Sequence, residues 1–241
     1  MKNKKERLAV NHISVDCVVI GFDGENLNVL LIKRTVEEEG NIYNDMKLPG
    51  SLIYMDEDLD EAASRVLKEL TGLKTVKLHQ FKTFGSKNRT DDPKDILWLE
   101  RAMNSKVERI VTIGYISLIR INRDVNKILD KGMSLWVPIK DVKELAFDHN
   151  IIIQEALKYI QKYVNESPAA LFDLLPTKFI ASELRRLHEV IFNTEYDVRN
   201  FHKKMNSMPY VERLNEKQKD VPHRAAYYYR FNRSIYNKLR R

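Results

Sequence analysis

The chain has 241 residues, 43% hydrophobic and 31% charged, which indicates one large globular domain or two unequal ones. A single cysteine, Cys17, excludes a disulfide framework and a cysteine-rich zinc site and fits a reducing cytoplasm. No apolar run approaches the roughly 20 residues of a membrane span, and no apolar signal core follows the basic start, so we expect neither a membrane protein nor a secreted one.

The net charge of +7 is concentrated at one end of the chain. Residues 1–165 carry 26 basic and 25 acidic side chains, whereas residues 166–241 carry 15 basic and 9 acidic ones. A surplus confined to one end is typical of a module that binds a polyanion, although a solvated tail has the same composition. Charge alone does not decide between a polyanion-binding module and a solvated tail.

The first third of the chain has strand patterns. Residues 13–22 alternate apolar and polar side chains, Asp23-Gly24 is a turn signal, and residues 27–33 predict the returning strand of a hairpin. The polar residues 37–44 predict a loop, whereas residues 97–105 have no clean period. Further strands are predicted at residues 75–85, 109–120 and 136–138.

A capped amphipathic helix follows the acidic loop after Gly50. Asp58 and Glu61 form a capping-box pattern, and Gly72 stands where a left-handed residue ends a helix. One apolar face recurs at helical spacing: Leu59, Ala62, Ala63, Val66, Leu67 and Leu70.

This stretch resembles the Nudix box, the loop-helix-loop signature of Nudix hydrolases. The matching residues, with one extra residue in the loop, are Gly50, Glu57, Arg65, Leu67, Glu69, Gly72 and Leu73. Val66 and Leu70 stand where the family has glutamates that hold a divalent metal. Because hard cations need oxygen ligands, the resemblance implies a Nudix fold whose hydrolase centre is disabled, with no metal, no cofactor and no enzyme activity.

The second half of the chain predicts a different module. An apolar-periodic helix at residues 151–164 closes the first domain, and residues 166–168 predict a linker, so we expect domains at 1–165 and 166–241. A helix at 179–192 precedes a short helix at 198–205. Two strand-like segments, around Val211 and at residues 225–231, complete the layout of a winged helix-turn-helix.

The short helix has a polar face suited to duplex DNA. Arg199 and Lys203 are four residues apart, as are Asn200 and Lys204, so these four side chains share one face. Cations and amides bind phosphates and base edges in a major groove, and Arg224 in the ribbon is a candidate for flanking phosphates. A helix without a partner, or an RNA-binding module, is the alternative, but a ribbon beside the helix favours DNA.

The order of motifs over residues 8–232 resembles the NrtR-type Nudix-related transcriptional regulators. The resemblance implies a mixed α/β chain, in which a Nudix-like α/β/α sandwich precedes a small winged helix-turn-helix domain. It also implies a homodimer, a pseudo-palindromic operator and a small metabolite that alters the affinity for DNA. The carriers are Lys47-Leu48-Pro49-Gly50, the degenerate box, residues 80–85, Phe147-Asp148-His149, Arg199-Asn200-Phe201 and Tyr229-Arg230-Phe231.

Two effector classes are known in such regulators: ADP-ribose and pentoses such as arabinose. A diphosphate is normally neutralised by metal or clustered cations, whereas a neutral sugar needs only hydrogen-bonding groups. We therefore predict a repressor that releases DNA when a pentose binds, and leave two alternatives: a regulator responsive to ADP-ribose or another NAD metabolite, and an active hydrolase of nucleoside diphosphate derivatives. The candidate effector contacts, each of which could instead be a surface charge or a salt bridge, are Asp16, Lys33, Lys47, Glu57 and Glu69.

Overall fold

The computed structural model describes residues 9–38, 41–103, 106–107, 109–129, 134–222 and 224–240, and these divide into two compact units. The larger unit takes in most of the chain up to Leu157. The smaller unit takes in the chain after Leu157 together with Gly21–Asn28 and Leu118–Ile121. The predicted domain boundary between residues 165 and 166 stays a prediction.

One sheet of seven strands forms the framework that positions the candidate site. Its order is β3-β2-β1-β6-β5, with β4 also paired to β1 and β7 to β2. The long apolar runs of β1 and β2 are almost fully buried, which explains why both could be predicted as strands from the sequence. The strands are β1 (Ala9–Phe22), β2 (Leu27–Glu38), β3 (Asn41–Lys47), β4 (Gly50–Tyr54), β5 (His79–Phe84), β6 (Val111–Arg120) and β7 (Ser134–Pro138).

Four α-helices accompany these strands: α1 (Leu59–Thr71), α2 (Pro93–Met103), α3 (Arg123–Leu129) and α4 (His149–Glu166). Both predicted ends of α1 are confirmed. Asp58 accepts a hydrogen bond from the Glu61 amide, the Glu61 side chain accepts one from the Asp58 amide, and Gly72 is left-handed with a φ of 77°. The predicted apolar face of α1 is buried at Ala62, Ala63, Val66 and Leu67 and half-buried at Leu59 and Leu70.

The predicted loop at residues 37–44 was wrong at residues 37–38 and 41–44, which are in strands, while residues 39–40 lie outside the described residues. Strands β2 and β3 pair as an antiparallel hairpin from Ile32 opposite Lys47 to Glu38 opposite Asn41. Strand β3 is an edge of the sheet, so polar side chains there do not disturb a core. The prediction took polarity alone as a sign of a loop.

Two helices lacked a recognisable period in the sequence. Helix α2 covers most of residues 97–105; its Leu99 packs on the cluster of Leu52, Val107 and Ile110, while Trp98 lines a cavity. Apolar side chains in two environments blur the single stripe that marks an amphipathic helix. Helix α3 was not predicted, because seven residues contain too few turns to show a period.

The smaller unit has the predicted helix-turn-helix and ribbon, with one strand more. Strand β8 pairs with β10, which pairs with β9, so the sheet has three strands and α5 begins at Ala181. Phe172 stacks on Phe231 with ring centroids 4.3 Å apart and anchors the aromatic core of this unit. The elements are β8 (Phe179–Ile180), α5 (Ala181–Phe192), α6 (Val198–Asn206), β9 (Val211–Lys217), β10 (Tyr227–Phe231) and α7 (Arg233–Leu239). No helix in the described ranges is long and apolar enough to cross a membrane.

Candidate functional site

The Lys47-Leu48-Pro49-Gly50 turn between β3 and β4 is fixed from several directions. The Leu48 amide donates to His149 Nδ1 at 2.9 Å, and the Cys17 amide donates to the Pro49 carbonyl at 2.8 Å. Gly50 lies directly against Asp16, since a Cβ on Gly50 would come within 1.9 Å of Asp16 Oδ1. Glycine is therefore required by the close approach of β1 and not by its backbone angles.

Asp16 is part of a buried charge network beneath this turn. Its Oδ2 lies 3.5 Å from Arg89 Nη2, and its Oδ1 lies 3.4 Å from His149 Nε2. Arg89 Nη2 also binds Asp148 Oδ1 at 2.9 Å. Burial alone would raise the pKa of Asp16, but His149 and then Arg89 outweigh burial and hold that pKa well below its usual range. This arrangement supports the shape of the turn, and a direct effector contact by Asp16 stays a prediction.

Lys47 is a buried cation beside the turn. Its ammonium donates to the carbonyls of Leu48 at 3.2 Å and Gly50 at 2.9 Å. It also lies 5.4 Å from the centre of the Trp98 ring. Burial, assisted by the charge of Arg34 and opposed by Asp16, lowers the pKa of Lys47 to about 8.

A cavity of about 440 Å³ lies next to this lysine, within the larger unit. Among the predicted contacts, Lys33, Lys47 and Glu69 line it, whereas Asp16 and Glu57 do not. The structure thus brings three of the five candidates together, and their roles stay predictions. The other charged or aromatic side chains on its wall are Arg34, Tyr54, Arg65 and Trp98.

Glu57 is engaged by Arg65 instead of facing the cavity. Arg65 Nη2 donates to Glu57 Oε1 at 2.6 Å, and Arg65 Nε donates to Oε2 at 2.7 Å. The Tyr54 amide donates to the same Oε1 at 2.8 Å. Glu69 accepts a longer bond, 3.3 Å, from Arg65 Nη1. Glu57 and Glu69, the two carboxylates that match the Nudix box, therefore orient Arg65, and the Glu57 pair ties the loop to α1.

The residues at this position do not fit a magnesium ion. Val66 is fully buried and Leu70 half-buried, so neither offers an oxygen, and both oxygens of Glu57 already bind Arg65. Within the ranges that the structure describes, no group of three or more His, Cys, Asp or Glu side chains could hold a metal.

Two cavity residues, Arg34 and Trp98, were missed from the sequence. Arg34 belongs to the same buried face of β2 as Ile32, one residue beyond the predicted end of that strand. Its Nε and Nη2 donate to Asp45 at 2.7 and 2.5 Å, and Nη2 lies 2.6 Å from Asp95 Oδ1. Strand alternation carried one residue further would have placed Arg34 in the core, where a cation needs partners.

The predicted DNA-reading helix, α6, is amphipathic. Asp197 caps it by accepting from the Asn200 amide at 2.9 Å, and Phe201 and Met205 are each 1% exposed. Val198, at helical spacing from these two, is 53% exposed and lies outside the core. The four predicted contacts on this helix are all exposed: Arg199, Asn200, Lys203 and Lys204.

Most of this polar face has no partner among the residues that the structure describes. In the described ranges the side chains of Arg199, Asn200 and Lys203 make no hydrogen bond or ion pair, whereas Lys204 Nζ lies 4.9 Å from the Tyr196 ring centre. Arg224 is exposed and precedes β10. The positions suit a partner outside the chain, and the DNA contacts themselves stay predictions.

The turn between α5 and α6 is held by buried groups. Glu189 accepts from Arg185 Nη1 at 2.5 Å and from the Tyr196 amide at 3.1 Å, while Asn193 is left-handed with a φ of 48°. His188 packs among three aromatic rings, the nearest being Phe201 with centroids 5.4 Å apart. These contacts fix the angle at which α6 presents its polar face.

Comparison with known proteins agrees with both units. Residues 10–156 match the NUDIX domain family, and residues 171–231 match the NrtR DNA-binding winged helix domain. The ADPR responsive transcriptional repressor NtrR of Acinetobacter baylyi is 27% identical over 223 residues, which are 91% of this chain and 81% of that protein.

Solved structures share the same fold. Shewanella oneidensis NrtR, in a crystal structure with a 27mer DNA, is 22% identical with a TM-score of 0.67; the match covers 91% of this chain and 93% of that chain. A MutT/nudix family protein of Enterococcus faecalis is 21% identical with a TM-score of 0.63, and the match covers 95% of this chain and 90% of that chain.

These findings confirm the predicted mixed α/β architecture and the resemblance to NrtR-type regulators. The family match over residues 10–156 covers more than half of the chain, and the winged helix match adds the DNA-binding module. The chain belongs to the Nudix family and, with its NrtR-type winged helix domain, is a DNA-binding transcriptional regulator.

Proposed function

We propose that the protein is a repressor that binds pseudo-palindromic operator DNA as a homodimer and releases it when ADP-ribose enters the cavity. Residues 1–165 would form the effector-binding domain and residues 166–241 the DNA-binding domain. The observation that carries the proposal is the cavity of about 440 Å³ with charged and aromatic walls. Clefts for drug-sized ligands measure about 300–1,000 Å³, and a free pentose would leave much of this one unfilled.

The effector named for the Acinetobacter baylyi relative supports the same choice. Two lysines lie on the cavity wall: Lys33, which is exposed, and Lys47, whose ammonium donates to the Leu48 and Gly50 carbonyls and not to a carboxylate among the described residues. These lysines would neutralise part of the charge of a diphosphate. No metal ion is then needed on the same cavity wall, where Val66 and Leu70 offer no metal ligand.

A pentose remains the second candidate because of how the other cations are used. Arg34 is paired with Asp45 and Asp95, and Arg65 with Glu57 and Glu69. These pairs leave little free positive charge on that side of the cavity, which favours an uncharged ligand. The size of the cavity argues the other way, so ADP-ribose is the proposed effector.

The test is a linkage experiment on the full-length protein. A duplex selected by the protein from a random pool is titrated by fluorescence anisotropy, with and without saturating ADP-ribose. We expect ADP-ribose to weaken DNA binding at least about tenfold, and DNA to weaken ADP-ribose binding by the same factor, because coupling between two sites is reciprocal. Unchanged DNA affinity at saturation would exclude ADP-ribose as the effector, and L-arabinose is then tested in the same assay.

We also propose that the Nudix unit binds its ligand without hydrolysing it. The support is the pairing of Glu57 with Arg65 and the apolar side chains at positions 66 and 70. Val66 and Leu70 each stand in place of a carboxylate that would have to bind metal for water to be activated, and both oxygens of Glu57 are already bound by Arg65.

A further inference from the structure

Lys47 is a buried nitrogen on the cavity wall with fewer acceptors than an ammonium has protons. The residue is 5% exposed and lines the cavity of about 440 Å³. Among the described residues its Nζ has two hydrogen-bond acceptors, the carbonyls of Leu48 and Gly50, and no carboxylate partner. An ammonium has three protons to donate, whereas a neutral amine has two. Two acceptors therefore satisfy the amine completely and leave its lone pair unused.

The surroundings of this nitrogen also favour the neutral form. Burial lowers the pKa of Lys47 to about 8; the charge of Asp16 opposes this shift and that of Arg34 assists it. Roughly a tenth of the side chain is then a free amine at pH 7, against about 0.03% for a lysine at the ordinary value of 10.5. Burial and a neighbouring cation are the two means by which proteins activate a lysine for attack on a carbonyl compound.

The candidate ligands of the cavity share one electrophile. A pentose and the terminal ribose of ADP-ribose each have a free anomeric carbon, and each opens to an aldehyde. We propose that Lys47 Nζ attacks this aldehyde inside the cavity and forms a reversible imine with the sugar. This inference rests on the proposed function, because it takes the cavity as the effector site.

The step needs no reagent besides the amine and the sugar. The lone pair of Nζ forms the bond to the aldehyde carbon, both amine protons leave with the carbonyl oxygen as water, and nothing is oxidised or reduced. Water reverses the step when the sugar is released. An imine that takes up one proton carries a positive charge, so a cation remains on this wall. Its single N–H serves only one of the Leu48 and Gly50 carbonyls, and capture therefore removes one bond that holds the turn.

Reductive trapping on the full-length wild-type protein tests the imine. The protein is incubated with cyanoborohydride and limiting ADP-ribose, D-ribose or L-arabinose, and modified lysines are located by peptide mass spectrometry. Lys162 on α4 is the internal control, because its side chain is 76% exposed. A buried lysine with a structural role alone would be labelled less than Lys162. We expect Lys47 to be labelled at least about tenfold more, because binding holds the aldehyde next to the amine.

Two controls distinguish capture in the cavity from random modification. Ribitol lacks the aldehyde of ribose, and both riboses of NAD are closed by glycosidic bonds, so neither compound should label Lys47. A Lys47→Met variant should lose the adduct at position 47 and keep the weak adduct at Lys162. The deciding comparison of Lys47 with Lys162 uses wild type alone, so it holds even if the variant does not fold.

The outcomes separate this inference from the proposed effector. If ADP-ribose binds in calorimetry but Lys47 is labelled no more than Lys162 by any of the three ligands, the imine is wrong and the effector stands. If only a free pentose binds and labels Lys47, the imine stands and the effector is wrong. If none of the three ligands binds or labels the protein, both are wrong.

Discussion

Helices α1 and α6 are built alike and used differently. Each begins at an aspartate that accepts a hydrogen bond from an amide three residues later, and each buries one apolar face. In α1 the polar side chains are satisfied inside the unit, as Arg65 binds Glu57, Glu69 and the Leu52 carbonyl. In α6 the side chains of Arg199, Asn200 and Lys203 bind nothing in the described ranges.

This difference teaches how to separate a supporting charge from a contacting one. A cation whose donors are used within its own domain stabilises that domain and has few left for a partner. A cation without an internal partner on a rigid, capped helix breaks no hydrogen bond or ion pair of its own domain when it binds a phosphate. The following predictions test both halves of the comparison, beginning with the largest expected effect.

Gly50→Ala should be the most damaging change near α1. The new methyl group would meet Asp16 Oδ1 at 1.9 Å and the Val15 carbonyl at 2.9 Å, so β1 or the turn must move. We expect a loss of about 3 kcal/mol or more in the free energy of unfolding, measured by urea denaturation. Gly85→Ala is the control, because its methyl group would meet Val111 at an ordinary 3.5 Å. Equal stabilities of the two variants would show that the turn yields easily.

His188 should make the smaller unit sensitive to acid. Burial, with Lys204 adding repulsion, lowers the pKa of His188 to about 4 from an ordinary 6.5. The unfolded chain then binds more protons between these two values, so stability is complete above about pH 6.5 and falls as the pH drops towards 4, by roughly 3 kcal/mol in total.

His188→Phe removes this titration while keeping an aromatic ring beside Phe201. The variant should lose less protection than wild type between pH 7 and pH 4.5, as read from hydrogen exchange of α5 and α6 amides. Parallel pH profiles for the two proteins would contradict the assignment to His188.

Substitutions on the exposed face of α6 should weaken DNA binding without unfolding the protein. Arg199→Ala or Asn200→Ala should each cost about 1–3 kcal/mol on a selected duplex and much less on random DNA, because base contacts carry specificity. Lys203→Ala should weaken both and reduce the salt slope by about 1. The measurement is anisotropy at several salt concentrations, with Lys127→Ala on α3 as the control. Unaltered binding in all three variants would exclude α6 as the reading helix.

The two helix caps offer the most direct comparison. Asp58→Ala and Asp197→Ala each remove one cap and should each cost about 1 kcal/mol of stability. Only Asp197→Ala should also weaken DNA binding, since it loosens the first turn that bears Arg199 and Asn200. If Asp58→Ala impairs DNA binding equally without ligand, the two helices are not functionally separate.

We expect no hydrolysis of ADP-ribose by this protein, so changes to α1 should leave that result the same. Wild type and Glu69→Gln should both leave ADP-ribose intact in the presence of magnesium, as followed by chromatography of the nucleotide. Steady turnover by wild type that disappears in Glu69→Gln would establish an active hydrolase.

Local patterns in the sequence determined the elements whose cause is local. The cap of α1 and the left-handed Gly72 depend on residues within a few positions, so they could be predicted and were confirmed. The absence of two glutamates of the Nudix box could also be recognised from the sequence, because the residues at these positions, Val66 and Leu70, are apolar. The basic surplus after residue 165 agrees with the position of the winged helix domain but did not by itself distinguish it from a solvated tail.

Tertiary structure decided everything that depends on residues far apart in the chain. The pairing of Arg89 with Asp16 and Asp148 and the meeting of Arg34 with Trp98 join segments up to 73 residues apart. A polar side chain has the same local signature whether it is saturated by a distant partner or left facing a cavity. Only the fold, by placing those partners, decides whether its donors are used internally or remain for a ligand.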